Sequence, residues 1–157
     1  MIIKQLLDED FVNYKKPSMF ISFPSCSWKC DKECGKQVCQ NGALATAINI
    51  EVDTEKIINR YINNNLTKAI VIGGLEPFDT YPQLFEFIAL LRLKTDDDVV
   101  IYTGYYKKEI KKFIDGLSQF KNIIIKFGRF IPDREKHFDE VLGIYLASDN
   151  QYAERVS

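Results

Sequence analysis

The chain has 157 residues, 46% hydrophobic and 27% charged, with 21 basic against 22 acidic residues and a formal net charge of -1. That length suits one domain with a real core and is short for two, and the charge balance leaves no electrostatic footprint for nucleic acid or an anionic membrane. No apolar run is long enough to span a bilayer, and the opening MIIKQLLDEDFVNYKK carries acids where a signal peptide has an uninterrupted apolar segment, so a reducing, cytoplasmic setting is expected.

The first predicted element is a buried strand over Met19–Phe23, ended by Pro24. It runs straight into CSWKCDKECGKQVC, which holds all four cysteines: Cys26, Cys30, Cys34 and Cys39. Asp53 is placed to cap a helix over 54–64, with Ile57, Ile58, Tyr61 and Ile62 on its apolar face. A second buried strand, Ala69–Ile72, stops at Gly73-Gly74. Pro82 then opens a helix to about Leu93, with Leu84, Phe85, Ile88 and Leu91 inward. A strand over Val99–Tyr102, a basic amphipathic helix over Lys107–Leu117 and a strand over Asn122–Phe127 follow. The tail is less periodic, and QYAERV reads as a last edge strand.

Strand and helix alternate, which is the pattern of a parallel α/β fold with right-handed crossovers. The expected architecture is an incomplete β/α barrel of about six mostly parallel strands with helices outside, as one domain over residues 1–157; a closed eight-fold barrel takes about 200 residues or more. Ligands in such folds bind beyond the carboxyl ends of the strands. The cysteine loop, GGLEP (73–77) and TGYY (103–106) all fall at such ends.

Four cysteines in so polar a loop are not core residues. In a reducing compartment they point to metal or redox chemistry. An iron–sulfur cluster held by thiolates on a loop is one reading. A structural zinc site, pairing Cys26/Cys30 with Cys34/Cys39, is another. A dithiol redox pair fits less well, because its usual spacing is C-x-x-C.

Four stretches, CSWKC…CQN, VIGGLEPF, IYTGY and the tail GRFIPD…ASDNQ, occur in an order that resembles the radical S-adenosylmethionine (SAM) superfamily. Within it, the chain is similar to the small activating enzymes of anaerobic ribonucleotide reductase. The resemblance covers Phe20 to Gln151 and departs from the family pattern in two places. The family loop is C-x3-C-x2-C, whereas here Cys26 and Cys30 fit the first pair and the third ligand is open. The continuation Gln40-Asn41 favours Cys39, with Cys34 as the alternate. Leu75 also separates Gly74 from Glu76-Pro77, where the family has Gly-Gly-Glu/Asp-Pro.

The resemblance implies a [4Fe-4S] cluster with one iron left open for SAM, reductive cleavage of SAM to a 5′-deoxyadenosyl radical, and a glycyl radical made on the large subunit of a partner reductase. A reducing donor such as flavodoxin or ferredoxin is implied as well. It assigns the cofactor side to Trp28, Gly73, Gly74, Glu76, Pro77, Thr103, Gly104, Tyr105 and Asn150, with Gln151 beside the last. Glu76 is expected to take the SAM amino group or a ribose hydroxyl, against the plainer reading of a solvated loop acid. Two other readings stay open: a radical SAM enzyme of a small molecule, and a zinc-binding interaction module without catalysis.

Overall fold

The computed structural model describes residues 1–157. Its elements in chain order are β1 (Ile2–Ile3), β2 (Gln5–Asp10), β3 (Ser18–Ser22), α1 (Lys29–Cys34), α2 (Gly42–Thr46), β4 (Ile50–Glu51) and α3 (Thr54–Ile62). Then come β5 (Ala69–Gly73), α4 (Tyr81–Leu91), β6 (Asp98–Tyr102), α5 (Lys111–Leu117), β7 (Ile123–Phe127), β8 (His137–Asp139), β9 (Ile144–Leu146) and β10 (Tyr152–Arg155).

One sheet of six strands organises the chain, in the order β10-β7-β6-β5-β3-β2. The four central strands are parallel, in register Met19 to Ile70, Ile70 to Val99 and Val99 to Ile123. Both outer strands, β2 and β10, are antiparallel. The sheet is mostly parallel and not closed, as an incomplete barrel requires. β2 was not expected as a strand, because QLLDED reads as a charged segment. Charges along an edge are a normal device against edge-to-edge pairing.

The central strands are buried on both faces, so their sequences are nearly continuous apolar runs. Alternation still sorts the side chains. Met19 and Ile21, Ile70 and Ile72, Val99 and Ile101, and Ile123 and Ile125 join the core beneath α3, α4 and α5. Ser18, Phe20 and Ser22, Val71, Val100 and Tyr102, and Ile124 and Lys126 belong to the other, inner face.

The helices differ from expectation in detail. Asp53 caps α3, accepting from the Glu55 amide at 2.8 Å. Ile57, Ile58 and Tyr61 are buried, but Ile62, at the last helical position, is 42% exposed. In α4 the deepest aromatic residue is Phe87 rather than Phe85, which packs at the margin against Phe120. The expected helix over 107–117 is broken. Lys107–Glu109 form a 3-10 turn, closed by Glu109 accepting from the Tyr106 amide at 2.7 Å, and α5 starts only at Lys111.

The inner face packs against Tyr14, Leu142 and Leu146 of the β8–β9 hairpin, and Ala153. The hairpin turns at Gly143, whose φ of +71° favours glycine. Toward the carboxyl ends the inner face borders a cavity. No helix is long and apolar enough to cross a membrane.

Candidate functional site

The cavity beside the inner face has a volume of about 580 Å³. Its floor is Phe20, Ser22, Tyr102 and Lys126 from the inner face, and its walls are the loops at the carboxyl ends of β3, β5, β6 and β7 together with the segment after β2 and strand β9. Of the residues predicted to carry chemistry, Cys26, Cys30, Cys39, Gly74, Glu76, Thr103 and Gly104 line it. Cys34, Trp28, Gly73, Pro77, Tyr105 and Asn150 do not, whereas Gln151 does.

The local fold explains why Cys39, rather than Cys34, faces inward. The residues around Cys30 wind into the short helix α1, entered through Trp28 in the left-handed region (φ 59°) and left through Gly35 (φ 63°). Asp31 on α1 then accepts from the returning Val38 and Cys39 amides at 2.8 and 2.9 Å. That loop of hydrogen bonds swings Cys39 back beside Cys30. Asn41 finishes the motif by donating to the Gly74 carbonyl at 2.6 Å, tying the cysteine loop to the glycine turn. The Cys26 and Cys39 sulfurs accept from the Trp28 and Asn41 amides at 3.3 and 3.4 Å.

All four cysteines are free thiols. Burial pushes the Cys26 thiol up to about 11 and raises Cys30 as well, while the Phe130 amide, Lys126 and Arg129 pull Cys30 back. Thiols held protonated this way become ligands when a metal replaces the proton. No three His, Cys, Asp or Glu side chains converge tightly enough to chelate a single ion. A four-iron cluster asks instead for thiolates spread around a cube, one to each iron. Three thiols around one cavity, with the fourth outside it, fit a cluster having one iron without a protein ligand.

The glycine pair divides its labour. Gly73 ends β5 inside the sheet, where an added Cβ would lie 3.1 Å from Tyr102 Cβ. Gly74 has φ +75°, and its Cβ would meet Ser22 Oγ at 2.7 Å and Leu44 Cδ2 at 2.8 Å. The chain's own packing therefore demands glycine at 74 before any ligand arrives.

Glu76 is no solvated acid: it is 4% exposed. Its Oε1 accepts from Thr103 Oγ1 at 2.8 Å and the Phe78 amide at 3.2 Å, and its Oε2 from the Gly104 amide at 2.9 Å. Burial raises its pKa to about 7 even against those donors. Pro77 starts the short 3-10 turn behind it. Tyr105 turns away from the cavity and donates to Asp79 at 2.6 Å. Asn150 donates to the Arg129 carbonyl at 2.8 Å, holding the tail to the loop after β7.

Sequence reasoning missed two floor residues. Lys126, 7% exposed, gives one hydrogen bond, to the Gly128 carbonyl at 3.0 Å, and burial lowers its pKa to about 8. Ser22 Oγ is buried with no partner. The lone lysine in NIIIKF was the available signal for the first; nothing in MFISF marked the second.

Over residues 17–151 the chain matches the family described as the 4Fe-4S single cluster domain, and it belongs to that family. This settles the class of the site in favour of an iron–sulfur cluster over zinc. No curated protein and no solved structure gives a significant match.

Two outcomes follow from this geometry. Cys26→Ala, Cys30→Ala and Cys39→Ala should each lose most of the iron and sulfide taken up on anaerobic reconstitution, while Cys34→Ala keeps most of it. Elemental analysis decides, and iron loss in Cys34→Ala with retention in Cys39→Ala would reverse the ligand choice. The second outcome concerns Glu76, whose folded pKa of about 7 stands above its ordinary 4.5. Its contribution to stability is full below pH 4.5 and is lost as pH rises through about 7. In iron-free protein, wild type should lose up to about 3 kcal/mol relative to Glu76→Gln between pH 4.5 and 8. Denaturant titrations read this, and parallel pH profiles would contradict it.

Proposed function

We propose that this chain is a radical SAM activating enzyme: it cleaves SAM reductively at its cluster and leaves a glycyl radical on a partner anaerobic ribonucleotide reductase. The observation that carries the reading is that three thiols, Gly74, Glu76, Thr103 and Gly104 line one cavity at the strand ends. The volume, about 580 Å³, is in the range of cofactor sites.

Cys26, Cys30 and Cys39 would hold the cluster, and when bound it supplies an open iron and the electron that splits the SAM sulfonium. The chain's own part is geometric and electrostatic. Gly74 leaves its side of the cavity free of a side chain. Lys126 Nζ, a buried cation with unused donor capacity, faces the space where a ligand carboxylate would be neutralised. Ser22 Oγ offers a hydroxyl still lacking a partner. Glu76 already receives three donors, so its main effect is to fix Thr103 and Gly104 against the cavity wall. One side of an unclosed sheet remains for a partner polypeptide, and a glycine is a suitable target because its α-radical is delocalised over the flanking amides. A low-potential protein such as flavodoxin or ferredoxin would deliver the electron in a cytoplasmic setting.

Protein reconstituted without oxygen should release 5′-deoxyadenosine slowly from SAM with a reductant, and build a glycyl radical doublet when the reductase is added. Electron paramagnetic resonance reads the doublet, which should vanish when the partner's glycine is replaced by alanine. Efficient turnover of a small molecule by the chain alone, with no protein radical, would instead favour a small-molecule radical SAM enzyme.

A further inference from the structure

Arg129 is the first residue after Gly128 at the end of β7, and it is 5% exposed on a face otherwise crossed by loops. Its guanidinium grips Glu109 in a fork, NH1 to Oε2 at 2.8 Å and NH2 to Oε1 at 2.7 Å. Its Nε lies 2.9 Å from Glu33 Oε2, an ion pair whose angle falls short of a hydrogen bond. The plane sits 4.4 Å from the centre of the Tyr106 ring, and Tyr106 closes the circuit by donating to Glu33 at 2.6 Å. Glu33 belongs to α1, the helix that also carries Cys30. Glu109 and Tyr106 belong to the loop after β6.

A six-residue helix without a single buried residue has no packing of its own to fix it. Its anchors are therefore polar. At one end Asp31 holds the returning chain. On the side facing the barrel, Glu33 meets Arg129 and Tyr106. Arginine suits this position because its rigid fork serves two carboxylates and stacks on a ring at once, which lysine cannot do.

We infer that Arg129 is a positioning residue that clamps α1 to the barrel through Glu33 and so keeps Cys30 in register with Cys26 and Cys39. It touches no ligand of the cavity itself. The inference depends on the cluster, not on the SAM chemistry proposed above, so either can fail without the other.

The test has one arm with iron and one without. After anaerobic reconstitution, Arg129→Met should lose its cluster to a ferrous chelator about 10- to 100-fold faster than wild type, the usual scale for removing a supporting contact. Glu33→Gln should accelerate the loss in the same sense, and the double variant should add little to Arg129→Met. In iron-free protein, amide hydrogen exchange across Lys29–Cys34 should rise in Arg129→Met while β5 and β6 stay protected. Arg129→Lys should not restore either readout. Should Arg129→Met fail to fold, Glu33→Gln, at a partly exposed position, still carries both measurements. Wild-type cluster retention together with unchanged exchange over 29–34 in a folded variant would overturn the inference.

Discussion

The site depends first on one buried carboxylate. Glu76 lies under the loops at the carboxyl ends of β5 and β6, and its three donors come from both. A carboxylate so placed costs free energy unless every donor is in position. It therefore acts as a demand on the loops: Phe78, Thr103 and Gly104 must come to it. Asp79 repeats the device one step outward, taking the Ser27 amide and the Tyr105 hydroxyl and so joining the cysteine loop to the loop after β6. Arg129 repeats it with the opposite charge. The cavity is walled by loops, and those loops are stitched by ionic groups, buried at Glu76 and Arg129 and exposed at Asp79.

This stitching accounts for how thiols can be set around an opening. α1 has no buried residue, so apolar burial of that helix does not place Cys30. Hydrogen bonds accepted by Asp31 and Glu33 and donated by Asn41 hold the loop instead. Lys4 adds a further tie, its ammonium bonding the Ala45 carbonyl at 3.1 Å and the Ala47 carbonyl at the end of α2. The sheet below is the opposite case, an apolar slab whose inner face borders the cavity, with Ser22 and Lys126 among its polar side chains.

The sequence was most legible where periodicity and glycine speak together. Ala69–Gly73, Asp98–Tyr102 and Ile123–Phe127 stand where apolar runs placed strands, and the loops following them form the cavity. What those runs hid was the face of each side chain, since a strand buried on both sides has no alternation to read. Lys126 therefore carried no sign of facing the cavity, and on the helix α4 the buried aromatic is Phe87 rather than Phe85. The Lys107–Leu117 helix is broken where Glu109 accepts from the Tyr106 amide and pairs with Arg129, a partner distant in sequence. The expectation of Cys39 over Cys34 rests on two residues, Gln40-Asn41; the structure turns Cys39 to the cavity through Asp31, which no spacing rule singles out. Gly74 was read as making room for a ligand, and it also makes room for Ser22 and Leu44.

The central claim is that three of the four cysteines hold a single four-iron cluster and leave one iron open to SAM. Mössbauer spectroscopy of protein reconstituted with iron-57 tests it most directly. The account predicts that adding SAM shifts the signal of one iron in four and leaves the other three together. Four irons that SAM does not touch, as a fourth thiolate ligand would produce, would contradict it.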